Sequence, residues 1–209
     1  MIILGLTGGI ACGKSAICSY MTRLGAKYVS ADKLAHFSAL PGGELWQVYV
    51  DHFGEQALMP NKTLNRKAIG AVVFNDENER RWLDEATHPV LRRQMENAIA
   101  EHQRIGTSVL ILDVPLLYEA GWDDLAELVW VVYASEEAQI RRMKKRTNVK
   151  TEENARLRIA AQMSLAEKCE RADVVIDNSG VWEDTVAQIH VAYAPILMRV
   201  AERYRYIPE

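Results

Sequence analysis

The chain begins with an unbroken apolar run, Ile2-Ile3-Leu4-Gly5-Leu6, and then changes period. From Ser15 to Leu24 the residues Ile17, Tyr20, Met21 and Leu24 fall on one helical face, and Gly25 reads as the stop. Ala26-Lys27-Tyr28-Val29-Ser30 reads as a short strand that delivers Ala31-Asp32. Strand, helix and strand in about thirty residues make a βαβ unit. Its crossover returns the chain to the same edge, so the two strands run parallel.

Residues 33–105 differ. They carry amphipathic helical patterns broken at Pro41-Gly42-Gly43, Pro60-Asn61 and His88-Pro89, which predicts a helical insertion. The sheet resumes at Ser108-Val109-Leu110-Ile111-Leu112-Asp113-Val114, a continuous apolar strand of the kind buried on both faces. Leu128–Tyr133 is another, and Val174-Val175-Ile176-Asp177 is the last. A long charged helical stretch spans Glu136 to Arg171. A C-terminal helix is predicted over Trp182 to Tyr204, with Val186, Ile189, Ala192 or Tyr193, and Leu197 at helical spacing and Pro195 as a kink or break.

Composition narrows the class without changing this picture. With 209 residues, 49% of them hydrophobic, the chain can bury a substantial core. Its 25 basic and 28 acidic residues nearly cancel, which speaks against a nucleic-acid partner. Cys12, Cys18 and Cys169 are too few and too scattered for a disulfide framework or a zinc site. No stretch approaches a membrane span and the N-terminal apolar run is too short for a signal peptide, so a cytoplasmic protein without membrane contact is expected.

Between the first strand and the first helix stands Gly8-Gly9-Ile10-Ala11-Cys12-Gly13-Lys14-Ser15, which satisfies G-x-x-x-x-G-K-[ST] in the one context where that pattern is convincing. Gly8 and Gly13 permit backbone angles that side chains would forbid, so successive N–H groups can turn toward phosphate oxygens. The start of the following helix adds its positive end to the same concavity. Lys14 can reach the β- and γ-phosphates of a nucleotide, and the Ser15 hydroxyl is placed to ligate magnesium. The predicted class is therefore α/β, a layered domain around a parallel sheet with a helical insertion and a mobile basic segment.

Ligands of open parallel sheets sit beyond the carboxyl ends of the strands, where Gly8, Asp32, Asp113 and Asn178 all fall. Asp32 reads as a catalytic or substrate-binding carboxylate, or else as the N-cap of the next helix. Asp113 resembles the aspartate that supports magnesium in P-loop enzymes, or makes local turn hydrogen bonds. The run Gln139-Ile140-Arg141-Arg142-Met143-Lys144-Lys145-Arg146 is the most basic part of the chain. Most of these charges should form a solvated face, but Arg142 and Arg146 are i,i+4 partners, and Arg146 is the candidate for an arginine that closes over a moving phosphoryl group. His88 reads as a structural turn residue or a ligand contact.

Taken together these residues resemble the dephospho-CoA kinase family, which phosphorylates the ribose 3′-hydroxyl of dephospho-coenzyme A with ATP. The resemblance is carried by Leu6-Thr7-Gly8-Gly9-Ile10 through Lys14-Ser15, Ser30-Ala31-Asp32 with Ala35-His36, Pro41-Gly42 and His88-Pro89. It continues through Val114-Pro115-Leu116-Leu117-Tyr118-Glu119, Gln139 with Arg142 and Arg146, Arg158-Ile159 with Gln162, Lys168, and Ala172-Asp173 to Asn178. It implies a P-loop NTPase-type three-layer fold with a parallel sheet, a helical substrate-binding insertion and a helical lid: a nucleotide-binding core in 1–32, 106–135 and 172–209, a helical acceptor domain in 33–105 and a lid in 136–171.

By the same resemblance Asp32, Lys14 and Arg146 are the catalytic residues. Gly9, Ala11, Cys12, Gly13, Lys14, Ser15, Ala16, Arg142 and Asn178 hold ATP, and Ser15 and Asp113 hold Mg2+. The acceptor meets Asp32, His88, Pro115, Leu116, Leu117, Tyr118 and Glu119. The expected partner is small-molecule dephospho-coenzyme A, bound by a monomer or weak homo-oligomer; a different small P-loop kinase, acting on a nucleoside monophosphate or another metabolite, is the alternative.

The departures lie in the loop itself. Similar proteins usually have Gly-Ser at Ala11-Cys12 and a threonine at Ala16. Ala11 must then hold a conformation tolerable to an L-residue, and Cys12, beside a helix N-terminus, is expected to have a lowered thiol pKa and to be open to oxidation.

Overall fold

The structure, a computed structural model, describes residues 1–146 and 151–205 and, of these, the side chains of all but 146, 204 and 205. It divides into two compact units, one of residues 1–29 with 102–209 and one of residues 30–101.

The first unit is built on a sheet. β1 (Ile2–Gly8) leads through the glycine-rich loop into α1 (Lys14–Arg23), and β2 (Lys27–Ser30) follows. Further along come β3 (Val109–Asp113), β4 (Leu128–Tyr133) and β5 (Val174–Asp177), and the sheet order is β2-β3-β1-β4-β5. β1 pairs in parallel with β3, Leu6 opposite Asp113, and with β4, Gly8 opposite Val132; β4 pairs in parallel with β5.

The central strands are apolar throughout because both faces are covered. Ile2, Leu4 and Leu6 pack with Val109, Ile111, Trp130 and Val132 against Ile17 and Met21 of α1 and Ile189, Tyr193 and Ile196 of the C-terminal helix, α9 (Trp182–Arg205). On the other face Leu110, Leu112, Val129 and Val131 are buried too. A Cβ added to Gly5 on that face would touch Leu117 at 3.0 Å, so the strand lies close under the segment that follows β3.

The charged stretch after β4 is not one helix. It divides into α6 (Glu136–Arg146), α7 (Glu152–Ala160) and α8 (Leu165–Glu170), the last two capped by the Thr151 and Ser164 side chains accepting from Asn154 N and Glu167 N.

The second unit is helical: α2 (Ala31–Ser38), α3 (Glu44–Phe53), α4 (Arg66–Asn75) and α5 (Glu77–Arg104). α2 and α3 separate at the expected Pro41-Gly42-Gly43 break. α5 continues through His88-Pro89, where a break was expected, and α9 continues through Pro195, which excludes a break there. A proline has no N–H for the carbonyl four residues back, but Pro89 and Glu85 are both exposed, as are Pro195 and Val191. In each case the unclaimed carbonyl lies on the watery side of its helix, where solvent can satisfy it. Among the described residues no helix is long and apolar enough to cross a membrane.

Candidate active site

The glycine-rich loop is shaped by three backbone positions. Gly8 has φ 151°, and a Cβ there would overlap the Val132 carbonyl oxygen of the neighbouring strand. Gly13 has φ 96°, and a Cβ there would run into the Asn178 side-chain amide. Ala11 occupies the left-handed region at φ 58°, a conformation open to an L-residue at some cost. The Gly13 carbonyl then accepts from Ala16 N at 3.0 Å and Ile17 N at 3.3 Å, which starts α1 and leaves the first N–H groups of that helix without intrahelical acceptors.

The loop is gripped through its carbonyls. Arg142 on α6 donates through Nη1 to Ala11 O (3.3 Å) and Cys12 O (3.2 Å), and through Nη2 to Asn178 O (2.5 Å). Asn178, just past β5, donates through Nδ2 to Cys12 O at 2.7 Å and accepts at Oδ1 from the fully buried Thr185 hydroxyl. On the other flank Ile10 N donates to Gln162 Oε1 at 3.1 Å. Arg142 and Asn178, expected among the nucleotide contacts, are thus tied to the loop itself. A single guanidinium spans three carbonyls, a task suited to its rigid fork of donors.

Lys14 points along the sheet edge. Its Nζ lies 2.8 Å from Asp113 Oδ1, with both side chains only 12% exposed, so the Asp113 alternative of local turn bonding gives way to an ion pair with the loop lysine. Ser15 and Ala16 are exposed at the start of α1. Ser15 and Asp113 offer the oxygen donors that a hard cation prefers, although among the described residues no cluster of three or more acidic, His or Cys side chains is placed to hold a metal.

Cys12 overturns its expectation. The thiol is wholly buried, and burial pushes its pKa up to about 11 against the backbone hydrogen bonding at Gly9 and Ala134 and the Arg142 charge that would lower it. Desolvation of a thiolate outweighs a partial positive charge here. Beside it the Gln139 side chain donates to Ala134 O at 2.9 Å, while its Oε1 is buried with no hydrogen-bond partner.

The segment after β3 is anchored from several sides. Pro115 O accepts from the Thr7 hydroxyl (2.9 Å) and from Lys168 Nζ (3.0 Å); Lys168, entirely buried, also lies 2.8 Å from Glu119 Oε1. Leu117 is fully buried and Tyr118 nearly so, with the Tyr118 hydroxyl donating to Arg171 O. Leu116 is the exposed apolar side chain of this segment.

Asp32 and His88 lie in the helical unit. Asp32 is exposed in the first turn of α2, whose N-cap position is taken by Ser30, so capping is not its role. His88 sits mid-helix on the exposed face of α5, not in a turn. Arg146 closes α6, and its side chain lies outside the described residues.

Thr7, Gln139, Gln162, Lys168 and Thr185 were given no role by the sequence, yet they brace the loop and its neighbour. Thr7 offered a signal, a hydroxyl at the end of an otherwise apolar strand. Lys168 stood in the resemblance, but nothing in the sequence marked it as buried, because a lysine in a short charged helix looks like surface.

The comparisons agree with this geometry. The sequence profile of the dephospho-CoA kinase family matches residues 2–184. A dephospho-CoA kinase of Symbiobacterium thermophilum is 42% identical over 193 residues, covering 92% of this chain and 80% of its own. Among solved structures, a dephospho-CoA kinase from Campylobacter jejuni superposes with a TM-score of 0.69 at 28% identity, covering 93% and 96% of the two chains. A shikimate kinase of Bacteroides thetaiotaomicron, 14% identical with a TM-score of 0.51 over 93% of this chain and 98% of its own, shares the fold alone. With that profile matching residues 2–184 and a relative 42% identical over 92% of its length, the chain belongs to the dephospho-CoA kinase family.

Proposed function

We propose that the protein transfers the γ-phosphoryl group of ATP to the ribose 3′-hydroxyl of dephospho-coenzyme A, the last step of coenzyme A biosynthesis. The observation that carries this reading is the loop whose carbonyls are held by Arg142 and Asn178 while Lys14 is held at 2.8 Å by Asp113. Ile10 N and Cys12 N are taken by Gln162 Oε1 and Gly9 O, but carbonyls turned to Arg142 and Asn178 leave the amides at the start of α1 for phosphate oxygens, and Lys14 can exchange the Asp113 carboxylate for the β- and γ-phosphates. Ser15 and Asp113 would hold magnesium, which when bound neutralises charge across the phosphates.

Phosphoryl transfer through a loose transition state asks for alignment more than for early deprotonation. Asp32 is assigned the acceptor hydroxyl, which it orients and whose proton it takes. Arg146 is assigned to close over the transferring group. The helical unit, assigned to the acceptor, holds a cavity of about 250 Å³ lined by Tyr49, Arg66, Ile69 and Leu91 among others, with room for an apolar arm. The reaction belongs to the cytoplasm and to a monomer or weak homo-oligomer.

The test is coupled ADP release with dephospho-coenzyme A, adenosine monophosphate and shikimate offered in parallel. Stimulation by the first alone is expected. Stimulation only by the second or third would transfer the protein to another kinase specificity. Asp32→Asn should lower kcat by about a hundredfold or more while the KM for ATP stays within about twofold.

A further inference from the structure

Residues 162 and 163 form bonds in opposite directions. Gln162 Oε1 accepts from Ile10 N of the phosphate loop at 3.1 Å, and the next residue, Met163, donates its N–H to Glu119 Oε1 at 3.1 Å. From that point α8 begins, and it touches the segment after β3 twice more. Lys168 Nζ reaches both Glu119 Oε1 (2.8 Å) and Pro115 O (3.0 Å), and Tyr118 OH donates to Arg171 O (2.9 Å) at the helix's far end. The Arg171 guanidinium lies 4.3 Å above the Tyr118 ring. Pro115 O is shared between Lys168 and Thr7, the residue immediately before the loop.

Lys168 has no exposed surface at all. A buried ammonium is a costly way to fill space, and an apolar side chain of the same length would do so at lower cost. What the ammonium adds is direction. Its bonds admit one placement of Pro115 and Glu119 relative to α8, whereas apolar packing tolerates sliding.

We propose that the stretch from Gln162 to Arg171 is a positioning clip that fixes the phosphate loop and the Pro115–Glu119 segment in one register, Gln162 securing the donor side and Lys168 the acceptor side. The assignment of the acceptor side rests on the dephospho-coenzyme A kinase reading. Neither residue touches a reacting atom. Each acts through the backbone it holds, and displacements of about 1 Å at such a backbone are enough to cost a hundredfold in rate.

The test is a KM split. Lys168→Met leaves Pro115 O with the Thr7 hydroxyl and Glu119 with Met163 N–H, so no acceptor is stranded and the variant should fold, which its melting curve checks. Its KM for dephospho-coenzyme A should rise about tenfold, the KM for ATP should stay within about twofold, and Lys168→Arg should recover most of the loss. Gln162→Ala should do the reverse, raising the KM for ATP alone. Equal changes in both constants, or a lowered melting temperature with both constants intact, would overturn the clip.

Should Lys168→Met fail to fold, Lys168→Gln fills most of the same space and removes the charge; it must shift the acceptor KM in the same direction, and an unchanged value overturns the proposal. A wild-type enzyme inert toward dephospho-coenzyme A would instead sink the kinase reading. An active wild type with unaltered variants sinks only the clip.

Discussion

Lys14 Nζ stands 2.8 Å from Asp113 Oδ1, so the cation of the phosphate loop is already spoken for by the strand beside it. The pair keeps the lysine stem extended along the sheet edge and prevents it from collapsing onto the loop. Lys14→Ala should abolish transfer, by at least about a thousandfold in kcat/KM. Asp113→Asn should lower kcat about a hundredfold and raise the magnesium concentration needed for half-maximal rate, read from initial rates over a magnesium series. If the magnesium response were unchanged, Asp113 would be a partner of Lys14 only.

Arg142 reaches Ala11 O, Cys12 O and Asn178 O at once. Its removal should loosen the loop before it touches the chemistry. Arg142→Ala should raise the KM for ATP about tenfold and lower the melting temperature by several degrees, since charge-assisted hydrogen bonds contribute about 1.5–3 kcal/mol. Arg142→Lys should rescue little, because an ammonium cannot reproduce the fork.

Burial of Cys12 makes a chemical prediction opposite to the one its helix-start position suggests. In the native protein near neutral pH, a maleimide should leave Cys12 unmodified and label the half-buried Cys169 first. Fast, ATP-protected labelling of Cys12 would contradict the buried geometry. The same thiol shapes the alkaline limb of stability. Its folded pKa, about 11, lies above the ordinary value of 9.0, so its contribution is whole below about 9 and is lost as pH rises toward 11. The difference between the denaturant midpoints of wild type and Cys12→Ala should be constant below about pH 9 and change only across that window.

Ala11 holds φ 58° without being glycine. Ala11→Gly relieves the left-handed strain but loosens the unfolded chain, and the strain term is the larger. The variant should be more stable by up to about 1 kcal/mol, as measured by equilibrium unfolding.

The sheet was readable because its strands are covered on both faces and so are written in continuous apolar letters, as Leu110 to Leu112 and Val129 to Val132 show. The loop was readable because Gly8 and Gly13 stand where side chains collide with Val132 O and the Asn178 amide. Pro89 misled, and Pro195 does not break its helix, because a proline's missing hydrogen bond is costly only where water cannot replace it. Cys12 misled because proximity in sequence revealed the helix start but not the surrounding apolar cluster. Lys168 and Gln139 stood in the resemblance without a role, because burial is a property of the packed molecule and a polar letter carries no mark of it.

A loop restrained by its carbonyls is restrained from the rear. Arg142, Asn178 and Gln162 all bond to its main chain, and none of these bonds depends on which side chains the loop itself carries. Ala11, Cys12 and Ala16 can therefore differ from the residues the family resemblance would supply while the phosphate-facing surface keeps its shape, and the positions that hold that shape lie as much outside the motif, on α6, before α8 and after β5, as at Gly8 and Gly13 within it.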